Sequence, residues 1–324
     1  MKKHTSINEV ALVAGVSIAT VSRYINTPDQ VAKKTQLKVE SAIRQTGYTP
    51  NTLAQKLRRG RSRHILVAVP SVGDPFFSAV MRGVRGAARQ LGYTVFIRET
   101  RHEALSIKEM NAVLDSKQAD GIVLLNNMTY VAGKAALSTD LQRYPPAIHI
   151  DNVAAAVTMT NFLVDHGHRR IAMIYSGRKP SFIDRERGYR EAMKTAGLDI
   201  ADELIIDAEN SLEGGREAAC TLLGLETRPT AIFCGSDEIA IGCMHEIHEA
   251  GLRVPADVSV AGFDDTRYAA VSNPPLTTIR QPAGKMGARL VEKLCLALED
   301  DSQGSGGAEV VPHKLLVRES VGRI

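Results

Sequence analysis

The chain has 324 residues but no tryptophan, only 5% aromatic residues and only four cysteines. The cysteines are far apart and show no C-x-x-C spacing, which excludes a disulfide framework and a zinc site. No apolar run reaches the ~20 residues needed to cross a bilayer, and the first ten residues lack the apolar core of a secretory signal. We therefore expect a cytoplasmic protein with no membrane partner and no bound metal.

Common catalytic motifs are also missing. No Gly-x-Gly-x-x-Gly follows a strand, and neither Gly-x4-Gly-Lys-Ser/Thr nor Gly-x-Ser-x-Gly occurs. The run His245-Glu246-Ile247-His248-Glu249 differs from His-Glu-x-x-His and is typical of a solvated helix face. These absences argue against an enzyme, and no cofactor is expected.

Charge is divided unevenly along the chain. Residues 1–63 hold twelve Lys and Arg against three acids, a net charge of +9, whereas the remaining residues carry a net charge of −5. A short basic segment joined to a mildly acidic one predicts that the first binds a polyanion while the second has another task. The overall composition, 44% hydrophobic and 23% charged, is that of a globular chain with two or three domains.

The basic segment has a small core of its own. Apolar residues at helical spacing predict a first helix, Ala14-Gly15 permits a tight turn, and Ser17 is placed to cap a second helix over 18–25. A third helix ends at Gly47, so the segment 1–50 is predicted to be a helix-turn-helix domain. The expected apolar positions are Ile7, Val10, Ala11, Val13, Ala14, Val16, Val21, Ile25, Leu37, Val39, Ala42 and Ile43.

The second helix of such a domain lies in the major groove with its N-terminal residues at the base edges. Ile18 and Ala19 offer apolar contact to a thymine methyl, and Arg23 either pairs with guanine or contacts a phosphate. Ser17 and Ser22 are expected to cap the helix or contact phosphate. The candidate DNA-binding residues of this helix are Ser17, Ile18, Ala19, Thr20, Ser22, Arg23 and Asn26.

This segment resembles the DNA-binding head of the lactose/galactose repressor (LacI/GalR) family. The resemblance rests on Asn8-Glu9-Val10-Ala11, on the run from Ala14 to Arg23, and on Gly47-Tyr48-Thr49-Pro50-Asn51. It implies a hinge helix and linker over 51–63 that folds on operator DNA. Leu57 would wedge into the minor groove and Arg58 would contact the DNA, the alternative for Leu57 being burial against the rest of the protein.

From residue 64 onward, buried apolar runs alternate with helical patterns. Such repeats predict an α/β fold of two doubly wound parallel-sheet lobes, with a ligand cleft at the carboxyl ends of the strands. Strands are expected at 65–69, 94–97, 121–125, 171–175, 230–234 and 258–261, and helices near 76–91, 105–116, 152–165, 182–196, 213–223 and 237–250.

Motifs in these lobes also resemble the LacI/GalR family, whose lobes are periplasmic-binding-protein-like. Asp74-Pro75-Phe76-Phe77-Ser78 and Pro274-Pro275-Leu276-Thr277-Thr278-Ile279 are most similar to cytidine-repressor-like members. The resemblance implies lobe one at 64–149 and 277–310, lobe two at 150–276, and a C-terminal strand and tail at 311–324.

The same resemblance implies a small-molecule effector, a nucleoside, purine or sugar, between the lobes. Arg185 would donate to ligand oxygens, and Asp264 would accept from sugar or base. Phe76 and Phe77 would stack on a ring or belong to the core, whereas Asp237 is expected to cap the following helix. The candidate effector-binding residues are Phe76, Phe77, Asp151, Arg185, Ser236, Asp264 and Gln281.

Two departures from the family pattern concern this cleft. The chain runs directly from Tyr144-Pro145-Pro146 to Ala147, so about one strand and a loop of lobe one are expected to be missing, and Asn210 stands near the position of a stacking aromatic. The sequence therefore predicts a homodimeric, nucleoid-associated repressor of palindromic operators. The alternatives are an effector-insensitive DNA-binding regulator with a degraded cleft, or a small-molecule-binding protein or enzyme of the same body fold.

Overall fold

The computed structural model of the chain describes residues 6–48, 61–100, 105–126, 128–132, 147–177, 180–299 and 308–324. The chain divides into two compact units, Met1–Ser62 and Arg63–Ile324, which we call the head and the body. Each unit has its own hydrophobic core.

The described part of the head consists of helices α1 (Ile7–Ala14), α2 (Ile18–Asn26) and α3 (Lys33–Thr46), with a 3-10 turn at Pro28–Gln30. Gly15 ends α1 with a φ of 65°, a left-handed conformation that glycine adopts without a steric penalty. The chain can therefore turn sharply into α2, as the helix-turn-helix prediction requires.

The core of the head is formed by one stripe of small and β-branched side chains. The buried members are Val10, Ala11, Ala14, Val21, Val39 and Ala42. Two expected core positions were wrong, since Val13 is 45% exposed and Leu37 is 65% exposed. On α1 the reason is the helical period, because Val13 lies about 100° around the helix from the stripe through Val10 and Ala14.

The body alternates helices and strands, as predicted. Its helices are α4 (Pro75–Gln90), α5 (Ile107–Asp115), α6 (Asn152–Asp165), α7 (Pro180–Thr195), α8 (Leu212–Leu223), α9 (Asp237–Glu249) and α10 (Ala283–Glu299). Its strands are β1 (His64–Val69), β2 (Thr94–Glu99), β3 (Gly121–Leu124), β4 (Thr129–Ala132), β5 (Ile148–His149), β6 (Ile171–Tyr175), β7 (Ile205–Asp207), β8 (Ala231–Cys234), β9 (Ser259–Asp264), β10 (Thr277–Arg280), β11 (Glu309–Val310) and β12 (Lys314–Leu316).

The sheet of lobe one has the strand order β2-β1-β3-β4 in its described residues. Strands β1, β2 and β3 are parallel, whereas β4 runs antiparallel to β3 and was not expected from the sequence. Strand β5, just before the second lobe, pairs with β11 in a separate two-stranded sheet. The expected loss of a strand concerns residues up to 146, and the segment 133–146 lies outside the described residues.

The sheet of lobe two has the order β12-β10-β9-β8-β6-β7 and is parallel except for β12. This sheet corrects one boundary, since Thr277–Arg280 was assigned to lobe one but pairs with β9 of lobe two. The chain returns to lobe one only after this strand, and α10 then packs on α4. The two helices approach so closely that a Cβ on Gly83 would lie 1.8 Å from the Gly284 carbonyl oxygen.

Candidate DNA-binding face and effector cleft

The candidate DNA-binding helix α2 begins at Ser17, as expected. The Ser17 side chain accepts a hydrogen bond from the backbone N–H of Thr20 at 3.1 Å, and the two hydroxyl groups lie 2.9 Å apart. This cap satisfies one of the N–H groups that have no partner inside the helix. The start of α2 is therefore ordered by the head itself.

One face of α2 is buried and the opposite face is open. Val21 is fully buried in the head core, while Ile18 is 50% exposed and Ala19 and Arg23 are exposed. Residues 18, 19, 22, 23 and 26 share this open face because helix neighbours recur three and four residues apart. An exposed isoleucine beside an exposed arginine can supply both apolar and bidentate contacts to base edges.

Two other candidates on α2 bond to each other. The side-chain amide of Asn26 donates to the Ser22 carbonyl oxygen at 2.7 Å and lies 3.3 Å from the Ser22 hydroxyl. Both side chains are partly buried, and their bonds support the last turn of the helix. The remaining DNA-binding candidates, Leu57 and Arg58, lie outside the described residues, so their roles stay predictions.

In the body, the candidate Arg185 of α7 lies at the carboxyl ends of β8 and β9. Arg185 is only 4% exposed, and its guanidinium lies 3.6 Å from the ring centroid of Phe263 and 4.8 Å from that of Phe182. Cation–π contacts of this kind compensate part of the cost of removing the charge from water. Burial lowers the pKa of Arg185, while the nearby Asp264 opposes that shift.

Each side of the Arg185 guanidinium also has a polar partner. Its Nε donates to Asn152 Oδ1 at 3.0 Å, one terminal nitrogen donates to the Gly235 carbonyl oxygen, and the other lies 3.5 Å from Asp264 Oδ1. These partners come from the start of α6, the end of β8 and the end of β9. The carboxyl ends of the parallel strands thus converge on one cation, at the edge where α/β folds bind ligands.

Asp264 contacts two of the other candidates. Besides facing Arg185, it accepts a hydrogen bond from the Gln281 side-chain amide at 2.5 Å. Its backbone has a φ of 110°, which side chains other than glycine rarely adopt and which costs about 1–3 kcal/mol. The following Asp265 also has a positive φ, 52°, so backbone strain is concentrated at this end of β9.

The expectation that Asp237 caps α9 was wrong, because Ser236 is the cap. The Ser236 hydroxyl accepts from the Ile239 N–H at 3.2 Å and donates to Asn210 Oδ1 at 2.6 Å. Asp237 instead turns inward, where its carboxyl accepts from the Thr278 hydroxyl and the Thr266 N–H, both at 2.6 Å. Burial raises the pKa of Asp237 to about 8, and the negative charge of Asp264 adds to the shift.

The remaining effector candidates divide into two groups. Asp151 is exposed and caps α6 by accepting from the Ala154 N–H at 2.9 Å, which explains this residue by helix capping. Phe77 is buried, 9% exposed, and joins the core of the body, with its ring centroid 5.4 Å from that of Phe76. Phe76 is partly buried and lines a cavity of about 480 Å³ together with Asp264 and Gln281.

Several contacts of the cleft were not identified from the sequence. Asn152, Phe182, Gly235 and Phe263 were not among the predicted effector-binding residues. The signal for Asn152 is its place at the start of the helix predicted near 152–165, next to the candidate Asp151. A phenylalanine at the end of a buried strand is typical of a core position, so nothing local distinguishes Phe263.

No grouping of three or more His, Cys, Asp or Glu side chains in the described ranges is placed to hold a metal ion. The cysteines are free, and Cys234, Cys243 and Cys295 are buried. Among the described residues, no helix is both long and apolar enough to cross a membrane.

Two family models match the chain. Residues 6–51 match the model described as bacterial regulatory proteins, lacI family, and residues 160–321 match the periplasmic binding protein-like domain. The first match covers the helix-turn-helix of the head, and the second begins within α6 and covers most of lobe two and the return to lobe one.

Relatives and solved structures agree with these matches. The HTH-type transcriptional repressor CytR of Escherichia coli K12 is 34% identical over 97% of this chain and 96% of its own length. The ribose operon repressor of Escherichia coli K12 is 33% identical over 89% of this chain and 92% of its own. The lac repressor dimer bound to operator and the anti-inducer ONPF superposes with a TM-score of 0.84 and 28% identity, covering 99% of this chain and 100% of that one. The complex of the transcriptional regulator CelR with cellobiose gives a TM-score of 0.69 at 28% identity, over 98% of this chain and 99% of that one.

Proposed function

Because the chain belongs to the LacI family of bacterial regulatory proteins, we propose that it represses transcription by binding a palindromic operator as a homodimer under the control of a small-molecule effector. The family consists of DNA-binding transcriptional regulators, so the chain is a regulator and the enzyme alternative is set aside. The observation that carries the proposal is α2, whose start is capped by Ser17 and whose open face presents Ile18, Ala19 and Arg23.

On the operator, the α2 helices of two heads enter successive major grooves, and a palindrome follows from the two-fold symmetry of the dimer. Arg23 pairs with a guanine, while the basic residues of the head contact phosphates and make the affinity depend on salt. In the hinge segment, Leu57 wedges into the minor groove and bends the duplex, and Arg58 contacts the backbone. Operator binding takes place on the chromosome, in the cytoplasm.

In the body, the effector is a nucleoside, purine or sugar that binds between the lobes. Arg185 and Asp264 come from α7 and β9 of lobe two, and Phe76 comes from α4 of lobe one. A ligand contacting both sides changes the closure of the lobes and, through the hinge, the spacing of the heads. Such coupling is typically about 1–3 kcal/mol, and operator binding must change effector affinity by the same factor.

A second candidate is a regulator whose operator binding no effector controls. It is favoured by one observation: Arg185 and Gln281 are buried, and both already contact the partly buried Asp264, so a ligand must replace these contacts before it gains its own. Calorimetric titration with nucleosides, purines and sugars separates the two candidates. Tight binding of any of them to the full chain favours the effector-controlled regulator, and binding of none favours the second.

The main test is selection of bound sequences from a random DNA pool by the full-length chain, followed by gel retardation on the selected sequence. We expect a palindromic sequence whose complex runs as two chains per duplex. A matched probe with one half-site scrambled is the control, and it should bind much more weakly. Failure to enrich any sequence, or equal retardation of both probes, would rule out the proposed function.

A further inference from the structure

The cavity of about 480 Å³ in the body is rich in cationic side chains. It lies between the first turns of α4, the loop after β9 and the segment that joins β10 to α10. Four basic residues line it: Arg82 of α4, Arg267 of the loop, Arg280 at the end of β10, and Lys285 in the first turn of α10. Its volume is within the ~300–1,000 Å³ range of small-molecule sites.

The two acids that line this cavity pair with only one of those four cations, Arg280. Asp264 faces the buried Arg185 and accepts from Gln281, as described above. Asp265 pairs with Arg280 at 2.6 Å and with Arg318 at 2.5 Å. Both acids are thus already paired, Asp264 with Arg185 and Asp265 with Arg280 and Arg318, and they leave the other three cations of the cavity uncompensated.

Arg82, Arg267 and Lys285 form no ion pair with any carboxylate among the described residues. Arg267 lies over the ring of Tyr268, 4.8 Å from its centroid, and donates to the tyrosine hydroxyl at 2.6 Å. Arg82 and Lys285 are exposed, on two helices that pack against each other. Three positive charges around one cavity without a protein counter-ion create a potential that attracts anions.

The walls between the cations suit the rest of a small ligand. Phe76 presents a partly buried ring on the α4 side, and the Gln281 and Thr266 side chains add polar groups. The first turn of α10 also lines the cavity and contains no acidic residue, so its backbone N–H groups reinforce the positive potential.

We propose that this cavity binds a phosphate monoester, so that the effector of this regulator is a phosphorylated nucleoside or sugar. This inference rests on the proposed function and names the chemical class of its effector. The phosphate contacts Arg82, Arg267 and Lys285, because planar guanidinium groups match phosphate oxygens in pairs and the lysine adds a third charge. The base or sugar lies against Phe76, within reach of Asp264 and Gln281.

Calorimetric titration of the full-length chain at low ionic strength tests this site with matched ligand pairs. The pairs are cytidine 5′-monophosphate with cytidine, and ribose 5-phosphate with ribose. We expect the phosphorylated member of at least one pair to bind about tenfold more tightly, because only its phosphate group forms charge-assisted hydrogen bonds with the cations. Raising the salt concentration should reduce this difference in affinity, because salt screens the exposed charges.

A double variant, Arg82→Gln with Lys285→Gln, links the preference to the cavity. It should bind the phosphorylated ligand no more tightly than the unphosphorylated one. Arg85→Gln is the matched control, since Arg85 is an exposed arginine one turn along α4 that does not line the cavity. Equal affinity within both pairs, absence of binding by every ligand, or equal losses in the double variant and the control would each overturn the proposal.

Gel retardation on the selected operator keeps this test separate from that of the proposed function. If the chain binds the operator and unphosphorylated cytidine or ribose releases it, the proposed function is supported and the phosphate site is ruled out. If cytidine 5′-monophosphate binds through Arg82 and Lys285 but no DNA sequence is enriched, the phosphate site is supported and the proposed function is ruled out.

Discussion

The head and the body place their candidate binding residues at the starts of helices and the ends of strands, but they use the side chains in opposite ways. On α2, Ile18 and Arg23 are open to solvent, and the head core lies on the other face of the helix. In the cleft, Arg185 is buried and forms an ion pair with the partly buried Asp264. Substitutions on the open face should therefore alter recognition and leave the fold intact, whereas those in the cleft should alter stability first.

The largest effect is expected for Arg185→Ala. The change leaves the buried Gly235 carbonyl and Asp264 carboxylate without their cation, and breaking a buried pair in this way costs about 3–5 kcal/mol. Urea unfolding of the body, followed by circular dichroism, measures the loss. Arg187→Ala is the control two residues along the same helix, where an exposed pair with Asp184 should be worth less than about 1 kcal/mol. Similar losses in both variants would show that the cleft bonds do not stabilise the body.

A smaller effect, which depends on pH, is expected for Asp237→Asn. The folded body keeps the Asp237 carboxyl protonated up to about pH 8, whereas the unfolded chain releases this proton near its ordinary pKa of 3.8. The contribution of Asp237 to stability is therefore fully present below pH 3.8 and is lost as the pH rises towards 8. Asparagine is neutral at every pH. The free energy of unfolding of the variant, measured relative to that of wild type, should therefore rise by about 2 kcal/mol between about pH 6 and pH 8.

Urea titrations of both proteins at several pH values measure this difference. Asparagine retains an oxygen that accepts from Thr266, while its amide group donates to the Thr278 hydroxyl, so the local bonds are preserved. Parallel curves for the two proteins would mean that Asp237 is ionised in the folded body at neutral pH.

The same contrast explains how much of the molecule could be predicted from sequence. The open face of α2 follows from local signals, since a serine cap and a helical period place Ser17, Val21 and Arg23 without knowledge of the rest of the fold. Strand β6 and helix α6 were predicted with the observed bounds, because each is a long and uniform pattern. The α/β class and the head with its helix-turn-helix are confirmed.

The bonds of the cleft could not be predicted in this way. Arg185 meets Asn152 across 33 positions of sequence and Gly235 across 50, and no local pattern encodes such pairings. Likewise, β10 is a four-residue strand whose place in lobe two depends on pairing with β9, and the boundary implied by the family resemblance placed it in lobe one. Asp237 was misassigned because serine and aspartate are both good caps and stand next to each other.

On the open face of the head, Arg23→Ala should change recognition. Losing a bidentate contact to guanine is expected to reduce the preference for the selected operator over unrelated DNA by about 1–3 kcal/mol, with little change in head stability. Fluorescence anisotropy with both duplexes at one salt concentration measures the preference. The control is Arg44→Ala, an exposed arginine of α3, which should weaken binding to all sequences alike. A uniform loss for Arg23→Ala as well would reduce its role to a phosphate contact.

The smallest effect belongs to Ser17, the candidate that caps the start of α2. Ser17→Ala removes the cap from the Thr20 N–H and should destabilise the first turn of the helix by about 1 kcal/mol. Faster amide hydrogen exchange at the start of α2 measures this loss, and DNA affinity should fall for every sequence. Ser17→Asn restores a good cap and should restore slow exchange. If it also restores DNA affinity, Ser17 acts by capping alone, whereas recovery of exchange without affinity would place its hydroxyl on a phosphate. Unchanged exchange in Ser17→Ala would show that the hydroxyl does not stabilise the start of α2. Ser17 would then act only in DNA recognition, in contrast to Arg185, which stabilises the fold of the body.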